Sequence, residues 1–462
     1  MTKTDVVIVG GGISGLSTAF YLQKAGIRSV VVEKTERLGG FIKTDHVEGC
    51  ELEAGPDSFI ATKPAVRKLA EDLGIQDQLM GSNDEKRRIF VIRNGALTPM
   101  PKGMVMMVPT DWNSALRSPL FSVKTKGRFL WETFSKPRER SGDFSIRDLV
   151  VDHFGEESLA YLTEPLLSGV YGGEAARLSA RSVLPKFVEH EQKVGSLIKA
   201  ARRERGGTGQ KQSFFLSFRG GMETLVKALQ GSYGQDVSFL QAEVKQIRRG
   251  RDCWRVQTQG EQIEAATVVL ACPAHVSSRL VAELDPALAC ELEAIPYSSA
   301  ILVTLLYRQK SFAHPLNGFG FLVPRPERKT IAAATWINTK FPSRIAPEFI
   351  GIRAFIVDPE ATLHLATPEA ELISCVQADL KQFMGITSDP VRSVVSPWPQ
   401  SMPQYVVGHA QRCQRISSHL EKWPGLHVVS NYLDGVGIPD CVRLAEKTAH
   451  YTRHQLLTNS LF

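Results

Sequence analysis

The sequence has no apolar run near the roughly 18 residues that would mark a membrane-spanning helix, so no segment is expected to cross a bilayer. Its seven cysteines (Cys50, Cys253, Cys272, Cys290, Cys375, Cys413, Cys441) are scattered, odd in number and never spaced C-x-x-C. That excludes a disulfide framework and a cysteine zinc site, and fits a reducing compartment. No H-E-x-x-H, G-x-S-x-G or P-loop occurs, so the commonest zinc-peptidase, serine-hydrolase and nucleotide-triphosphatase signatures are missing. Eleven histidines include His450 and His454, four apart, but no motif places a third ligand and no metal is expected. Internal repeats and low-complexity tracts are absent. The start, MTKTDVVIVGGG, enters a strand pattern by Asp5, so no leader peptide is expected.

What is present is an ordinary composition, 43% hydrophobic and 22% charged, in 462 residues. That length suits about two or three domains. The formal charge of +7 is unevenly spread. Between Pro101 and Arg140 stand eight basic residues (Lys102, Arg117, Lys124, Lys126, Arg128, Lys136, Arg138, Arg140) against Asp111, Glu132 and Glu139. Met104 to Val108, Trp112, Phe129, Leu130 and Trp131 are interleaved with them. The mixture suits an anionic membrane surface as well as a solvated face over a helical core, and no motif points to nucleic acid. The polar, glycine-rich RRERGGTGQKQ from Arg202 reads as an interdomain loop.

The segment DVVIVGGGISGLSTAFYLQKAG reads as a buried parallel strand, a glycine turn and a helix. Gly10 permits the tight bend, Gly12 the approach of a pyrophosphate, and Gly15 the packing of helix on strand. A second strand, SVVVEK from Ser29, ends at Glu33, 23 residues after Gly10, where a carboxylate binds ribose hydroxyls. Dinucleotide binding follows. Further strands are expected around Val244 and in EAATVVLACPA up to Ala271, with Cys272 a small buried residue. Near the C-terminus NYLDGVGIPDC reads as a loop entering a helix near Ile438. Gly435 and Gly437 allow close approach there, and Pro439 suits a first helical turn.

Arg37, Gly39 and Gly40 in EKTERLGGFIKT, followed by ELEAGPDSF, resemble the flavin-dependent amine oxidase superfamily. NYLDGVGIPDC, GPDSF, SGVYGGEAARLSARSVLPKF, GFGFLVP and WPQSMPQYVVGH together resemble its protoporphyrinogen oxidase family over nearly the whole chain. Bacterial coproporphyrinogen III oxidases share most of these motifs, and the two are poorly separated by them. An amine oxidase or a carotenoid-type desaturase would share only the FAD segments.

The resemblance implies an α/β fold: a Rossmann-like FAD-binding domain at residues 1–85, 207–278 and 420–462, a helical insertion at 86–206, which the basic and apolar mixture makes the candidate for membrane contact, and a mixed-sheet substrate domain at 279–419. It implies one non-covalent FAD held by Gly10, Gly12, Ile13, Ser14, Gly15, Glu33, Lys34, Arg37, Gly39, Gly40, Gly55, Pro56, Asp57, Ser58, Val244, Ala271, Trp398, Val436, Gly437 and Ile438. For the substrate it implies Arg88 on a propionate, with Arg87 as an alternative, and the Gly169 carbonyl facing pyrrole N–H groups. Leu322, Thr335 and Phe355 would line the groove, although Thr335 is more polar than the aliphatic residue expected there. His409 is expected to make a structural hydrogen bond. No catalytic side chain is required, because the cofactor carries the chemistry. The implied reaction removes six hydrogens from protoporphyrinogen IX, with O2 reduced to H2O2. The protein is then expected in the cytoplasm, peripheral on the inner face of an anionic membrane, with a homodimer left open.

Overall fold

The valine-rich strand Thr2–Val9 lies parallel between Ser29–Glu33 and Gln262–Leu270 in a computed structural model that describes residues 2–204 and 213–459. Most of the expected loop from Arg202 falls outside the described residues. Val237–Gln241 extends the sheet beyond Ser29–Glu33, and Leu426–Val428 runs parallel to the end of Gln262–Leu270. The antiparallel pair Val244–Arg249 and Trp254–Thr258 completes seven strands. Alternate side chains enter two cores. Val6, Ile8 and Val31 pack with helices Ile13–Lys24, Glu223–Ser232 and Ile438–Asn459. Val7, Val9, Val30 and Val32 pack with Ala274–Val281 and Pro286–Glu293 on the other face. Cover on both faces explains why these strands are apolar throughout.

A second seven-stranded sheet runs Arg392–Pro403, Tyr297–Arg308, Phe349–Val357, Ala333–Trp336, Gly320–Leu322, Ile89–Arg93, Ala96–Pro99. All its pairs are antiparallel except Gly320–Leu322 with Ile89–Arg93. The helical insertion expected from residue 86 therefore starts later. IFVIRNGALTP forms a hairpin, and its two-residue turn, Asn94 and Gly95, has φ of 52° and 73°, the left-handed pair that such a turn requires. Helices begin at Trp112–Arg117. One face of this sheet is sealed by helix Glu369–Met384 over Phe321, Trp336, Ile352, Ala354 and Ile356.

The helical region packs Phe129, Leu149, Phe154, Val188 and Ile198 from helices Val123–Glu132, Ile146–Phe154, Pro185–Val194 and Leu197–Glu204. Inside it, His153 bridges two carboxylates, with Nδ1 at 2.9 Å from Glu132 and Nε2 at 3.1 Å from Glu191. Glu132 also accepts from the Leu197 N–H at 2.6 Å and the Ser196 hydroxyl at 2.8 Å. Arg140 donates to both oxygens of Glu191. Burial opposes a charge on His153, but hydrogen bonds to the two carboxylates raise its pKa overall. Burial pushes Glu191 up, and His153 and Arg140 outweigh it, bringing the carboxyl to about 2.

His153→Ala should therefore leave two buried carboxylates without their shared cation and cost about 3 kcal/mol of stability, read as a lower urea midpoint. Because the imidazole pKa is raised on folding, its contribution is complete below about 6.5 and is lost as pH rises through the folded value. A stability difference between wild type and variant that does not shrink with rising pH would contradict a charged His153.

Candidate functional site

The first helix, Ile13–Lys24, begins at Gly12 with no side chain capping it, so its leading N–H groups remain available to an anion. Gly10 has φ of 110°, and a Cβ there would stand 2.7 Å from the Ala271 carbonyl oxygen. A Cβ at Gly15 would stand 2.0 Å from the Gly10 carbonyl oxygen, which is why helix and turn can meet. Gly12 is different: the nearest atom to an added Cβ is the Gly40 Cα at 3.9 Å. Gly39 N–H donates to the Gly11 carbonyl at 2.8 Å, laying the Arg-x-Gly-Gly loop along the turn. Glu33 accepts from Gly11 N–H at 2.8 Å and from Thr35 N–H at 2.9 Å, so its carboxylate is fixed at the end of the second strand. Lys34 is exposed beside it. The Ala242 N–H donates to the Glu33 carbonyl at 2.9 Å, which brings the start of strand Val244–Arg249 to the same edge. Arg37 folds back onto its own loop, donating to the carbonyls of Leu38, Gly40 and Ile42.

Gly55 admits no side chain, since a Cβ would lie 1.7 Å from the Phe41 carbonyl oxygen. Trp398 ties the two loops together: its indole N–H donates to the Ala54 carbonyl at 2.6 Å and its ring meets Phe41 edge-on at 5.2 Å. The C-terminal helix packs on the first helix, with Cys441 beside Ser14. Gly435, Val436 and Gly437 thereby enter the same region, before the helix that starts at Ile438. Gly435 has φ of 98°. Its loop is braced by Asp440, which receives Lys63 at 2.6 Å, and by the Tyr405 hydroxyl, which accepts from Gly435 N–H at 2.8 Å.

Strand register collects the expected substrate residues. Leu322 pairs with Ala333, Ala333 with Phe355, and Gly320 with Thr335. Leu322, Thr335 and Phe355 thus share the face opposite the helix Glu369–Met384, each half-exposed, with Trp398 on the same side of its strand. Helix Glu164–Tyr171 packs against strand Phe349–Val357 and carries Gly169, where an added Cβ would meet nothing within 4 Å. Gly169 stands in the last helical turn, whose carbonyls lack in-helix donors, and no other backbone N–H of the described residues takes its oxygen. Five π-helical residues, Leu159–Thr163, precede this helix; such bulges are frequent at functional sites. Arg88, one residue before strand Ile89–Arg93, is exposed with no side-chain partner among the described residues. Arg87 instead lies over the Phe214 ring at 4.5 Å.

On that same face, where Arg353 pairs with Thr335, is a charge cluster that no local sequence pattern announces as a whole. Asp57 accepts from Lys340 at 2.7 Å and lies 3.6 Å from Arg353, which also donates to the Gly55 carbonyl. Arg344 pairs with Glu53 at 2.8 Å. Burial would raise the Asp57 pKa, but Lys340, Arg353 and Arg344 hold it well below the usual carboxylate range. Burial lowers the pKa of Lys340 and of Arg353. Thr335 lines the same space, which accounts for its polarity. The available signal was an arginine inside the otherwise apolar strand FIGIRAFIV. Tyr405 was missed although its motif had been singled out. His409, inside that motif, stacks on Tyr405 at 4.0 Å, and burial moves its pKa down to about 4.

A capless helix start, a glycine turn open only at Gly12 and a fixed acid at Glu33 fit a dinucleotide. Residues 13–451 match the family model described as "Flavin containing amine oxidoreductase". The chain is 32% identical over 456 residues to the coproporphyrinogen III oxidase of Bacillus subtilis (strain 168), covering 95% of this chain and 96% of that protein. It is 30% identical over 482 residues to the chloroplastic protoporphyrinogen oxidase 1 of Arabidopsis thaliana, covering 96% and 87%. A crystal structure from Exiguobacterium sp. 255-15, provisionally named a protoporphyrinogen oxidase, superposes with a TM-score of 0.87 at 31% identity, covering 98% of each chain. The expected α/β fold and the expected flavin are those of this group, and the chain belongs to the flavin-containing amine oxidoreductase family.

Proposed function

We propose that the protein is a porphyrinogen oxidase that converts protoporphyrinogen IX to protoporphyrin IX with one non-covalent FAD, passing six electrons to O2 with release of H2O2. The observation that carries this reading is the free Gly169 carbonyl, on a helix packed against the strand that bears Phe355, together with an Arg88 that has no side-chain partner among the described residues at the start of another strand of the same sheet. FAD, when bound, supplies the two-electron acceptor for each of three dehydrogenations. Gly169 accepts from pyrrole N–H groups and orients the macrocycle. Leu322 and Phe355 exclude water from its apolar flank, and Arg88 binds a propionate through two parallel N–H bonds. Gly10, Gly12 and the first turn of helix Ile13–Lys24 hold the pyrophosphate, with Glu33 on the ribose. The shared strands Thr2–Val9, Gln262–Leu270 and Leu426–Val428 support an FAD domain drawn from residues 1–85, 207–278 and 420–462.

Charge at the groove ends favours a substrate with few carboxylates. Arg93 is neutralised by Glu157 at 2.7 Å and Arg325 by Glu174 at 2.9 Å, which leaves Arg88 as the available cation of the three. A second reading, coproporphyrinogen III, rests on the Bacillus subtilis relative. Separate aerobic assays of the FAD-loaded protein with each porphyrinogen, following porphyrin fluorescence and peroxide, should favour the first. Faster turnover of coproporphyrinogen III would move the protein to the second reading, and no turnover of either would end both. Arg88→Ala should raise KM about tenfold, the loss of a charged hydrogen bond, with kcat little changed. An unchanged KM would remove Arg88 from the propionate site.

Helix Val123–Glu132 buries Phe129 yet presents a second apolar stripe with its following turn: Val123, Trp131 and Phe134 are 86%, 77% and 75% exposed, and Leu130 joins them. Exposed Lys124, Arg128 and Lys136 border the stripe. Among the described residues no helix is long and apolar enough to cross a membrane. The protein therefore lies on an anionic membrane surface, inserting Trp131 and Phe134 and using its basic residues for the headgroups. Vesicles containing phosphatidylserine should float the protein at low salt and release it at high salt, and the Trp131→Ala, Phe134→Ala double variant should fail to float. Wild type that stays with the soluble fraction at low salt would refute the contact.

A further inference from the structure

We infer that Gln404 and Tyr405, adjacent residues leaving the last strand of the substrate sheet, are positioning residues with separate tasks: Gln404 fixes the helix that presents Gly169, and Tyr405 fixes the loop that carries Gly435 and Gly437. The inference rests on the porphyrinogen reading for Gly169 and on the flavin family for the loop. Neither residue has an assigned role in the chemistry proposed above.

Gln404 is buried, and its amide donates to the Tyr171 carbonyl, to Ser298 Oγ at 2.8 Å and to the Met402 carbonyl at 3.0 Å. Ser298 Oγ reaches the same Tyr171 carbonyl at 3.2 Å. Tyr171 ends the helix Glu164–Tyr171, so a side chain from the sheet satisfies a carbonyl that the helix itself cannot. The fit is tight. A Cβ at Gly173 would stand 1.8 Å from the Gln404 amide oxygen, so the amide fits only against a glycine there.

The Tyr405 side chain serves the other direction. Its hydroxyl donates to the Asn431 carbonyl at 2.6 Å and accepts from Gly435 N–H at 2.8 Å, closing the NYLDG loop around one oxygen. The ring is held by His409, stacked at 4.0 Å with an interplanar angle of 12°. Burial raises the Tyr405 pKa, so the hydroxyl keeps the proton that the Asn431 bond needs. Backbone bonds hold the segment itself: Gln404 N–H donates to the Pro296 carbonyl at 2.8 Å, and Ser179 N–H donates to the Tyr405 carbonyl at 2.7 Å. At Tyr405 the backbone turns, with Val406 N–H donating to the Gln404 carbonyl at 2.9 Å, and the two neighbouring side chains reach two different parts of the site.

The test compares wild type, Tyr405→Phe and Gln404→Leu by FAD titration, flavin absorbance, steady-state kinetics at saturating FAD, and quenching of porphyrin fluorescence on product binding. Tyr405→Phe keeps the ring but leaves Asn431 and Gly435 unpaired. It should weaken FAD binding about tenfold and shift the flavin spectrum, with KM for the porphyrinogen unchanged. Gln404→Leu should leave FAD affinity and spectrum alone while raising KM and weakening product binding about tenfold. Ser298→Ala, a milder change in the same network, should move KM in the same direction by a smaller factor and keeps the question answerable if Gln404→Leu does not fold. Variants that alter the same parameters together, or none, would overturn the division of labour. If wild type oxidises no porphyrinogen, the substrate reading fails and the Gln404 half falls with it, while the FAD titration of Tyr405→Phe still decides the loop half.

Discussion

The arrangement depends on a buried exchange of charge between two sheets. Glu51, Glu53 and Asp57 come from the segment that follows the glycine loops; Lys340, Arg344 and Arg353 come from strand Phe349–Val357 and the segment before it. Stripping water from buried charged groups is expensive, and the burial is tolerable because Lys340 and Arg353 flank Asp57 and Arg344 meets Glu53. Two apolar faces could slide past one another at small cost, whereas these contacts have one register. The loop Gly55–Ser58 is consequently held to strand Phe349–Val357 by direction as well as by proximity, and everything mounted on that loop and strand inherits the spacing.

Trp398 and Tyr405 extend the same logic. Each is a large ring that comes from the substrate side of the chain and sends one polar atom to a backbone group of a loop expected at the cofactor: Ala54 for Trp398, Gly435 for Tyr405. The loops themselves are rich in glycine and could adopt many conformations. Their order is imposed from outside, by side chains whose own positions are set by strand pairing and packing.

Much of this was legible in the sequence because it follows from local rules. The glycine turn, Glu33 at a strand end and the loop before Ile438 need only a few consecutive residues to declare themselves, and family motifs supplied the flavin. The hairpin around Asn94 and Gly95 is legible too, because an Asn-Gly pair between apolar runs is a strong local turn signal. The charge cluster could not be read at all. Its members lie up to 302 positions apart, as Glu51 and Arg353 show, and no local pattern announces that an acid near residue 57 will meet a lysine near 340. The alternation that puts Leu322, Thr335 and Phe355 on one face became visible only once pairing registers were known, since each strand alone is too short or too apolar to name its exposed side.

The placing of strand Thr2–Val9 between Ser29–Glu33 and Gln262–Leu270 bears on how the chain is made. On a ribosome the strand Thr2–Val9 emerges with its second neighbour more than 250 residues away from being synthesised, and its helix partner Ile438–Asn459 comes later still. A growing chain must hold an apolar edge and a half-covered sheet until that helix has been made. Contacts of such sequence separation form slowly and leave surfaces open to aggregation meanwhile, so the demand for chaperones falls on the interval between this strand and that helix.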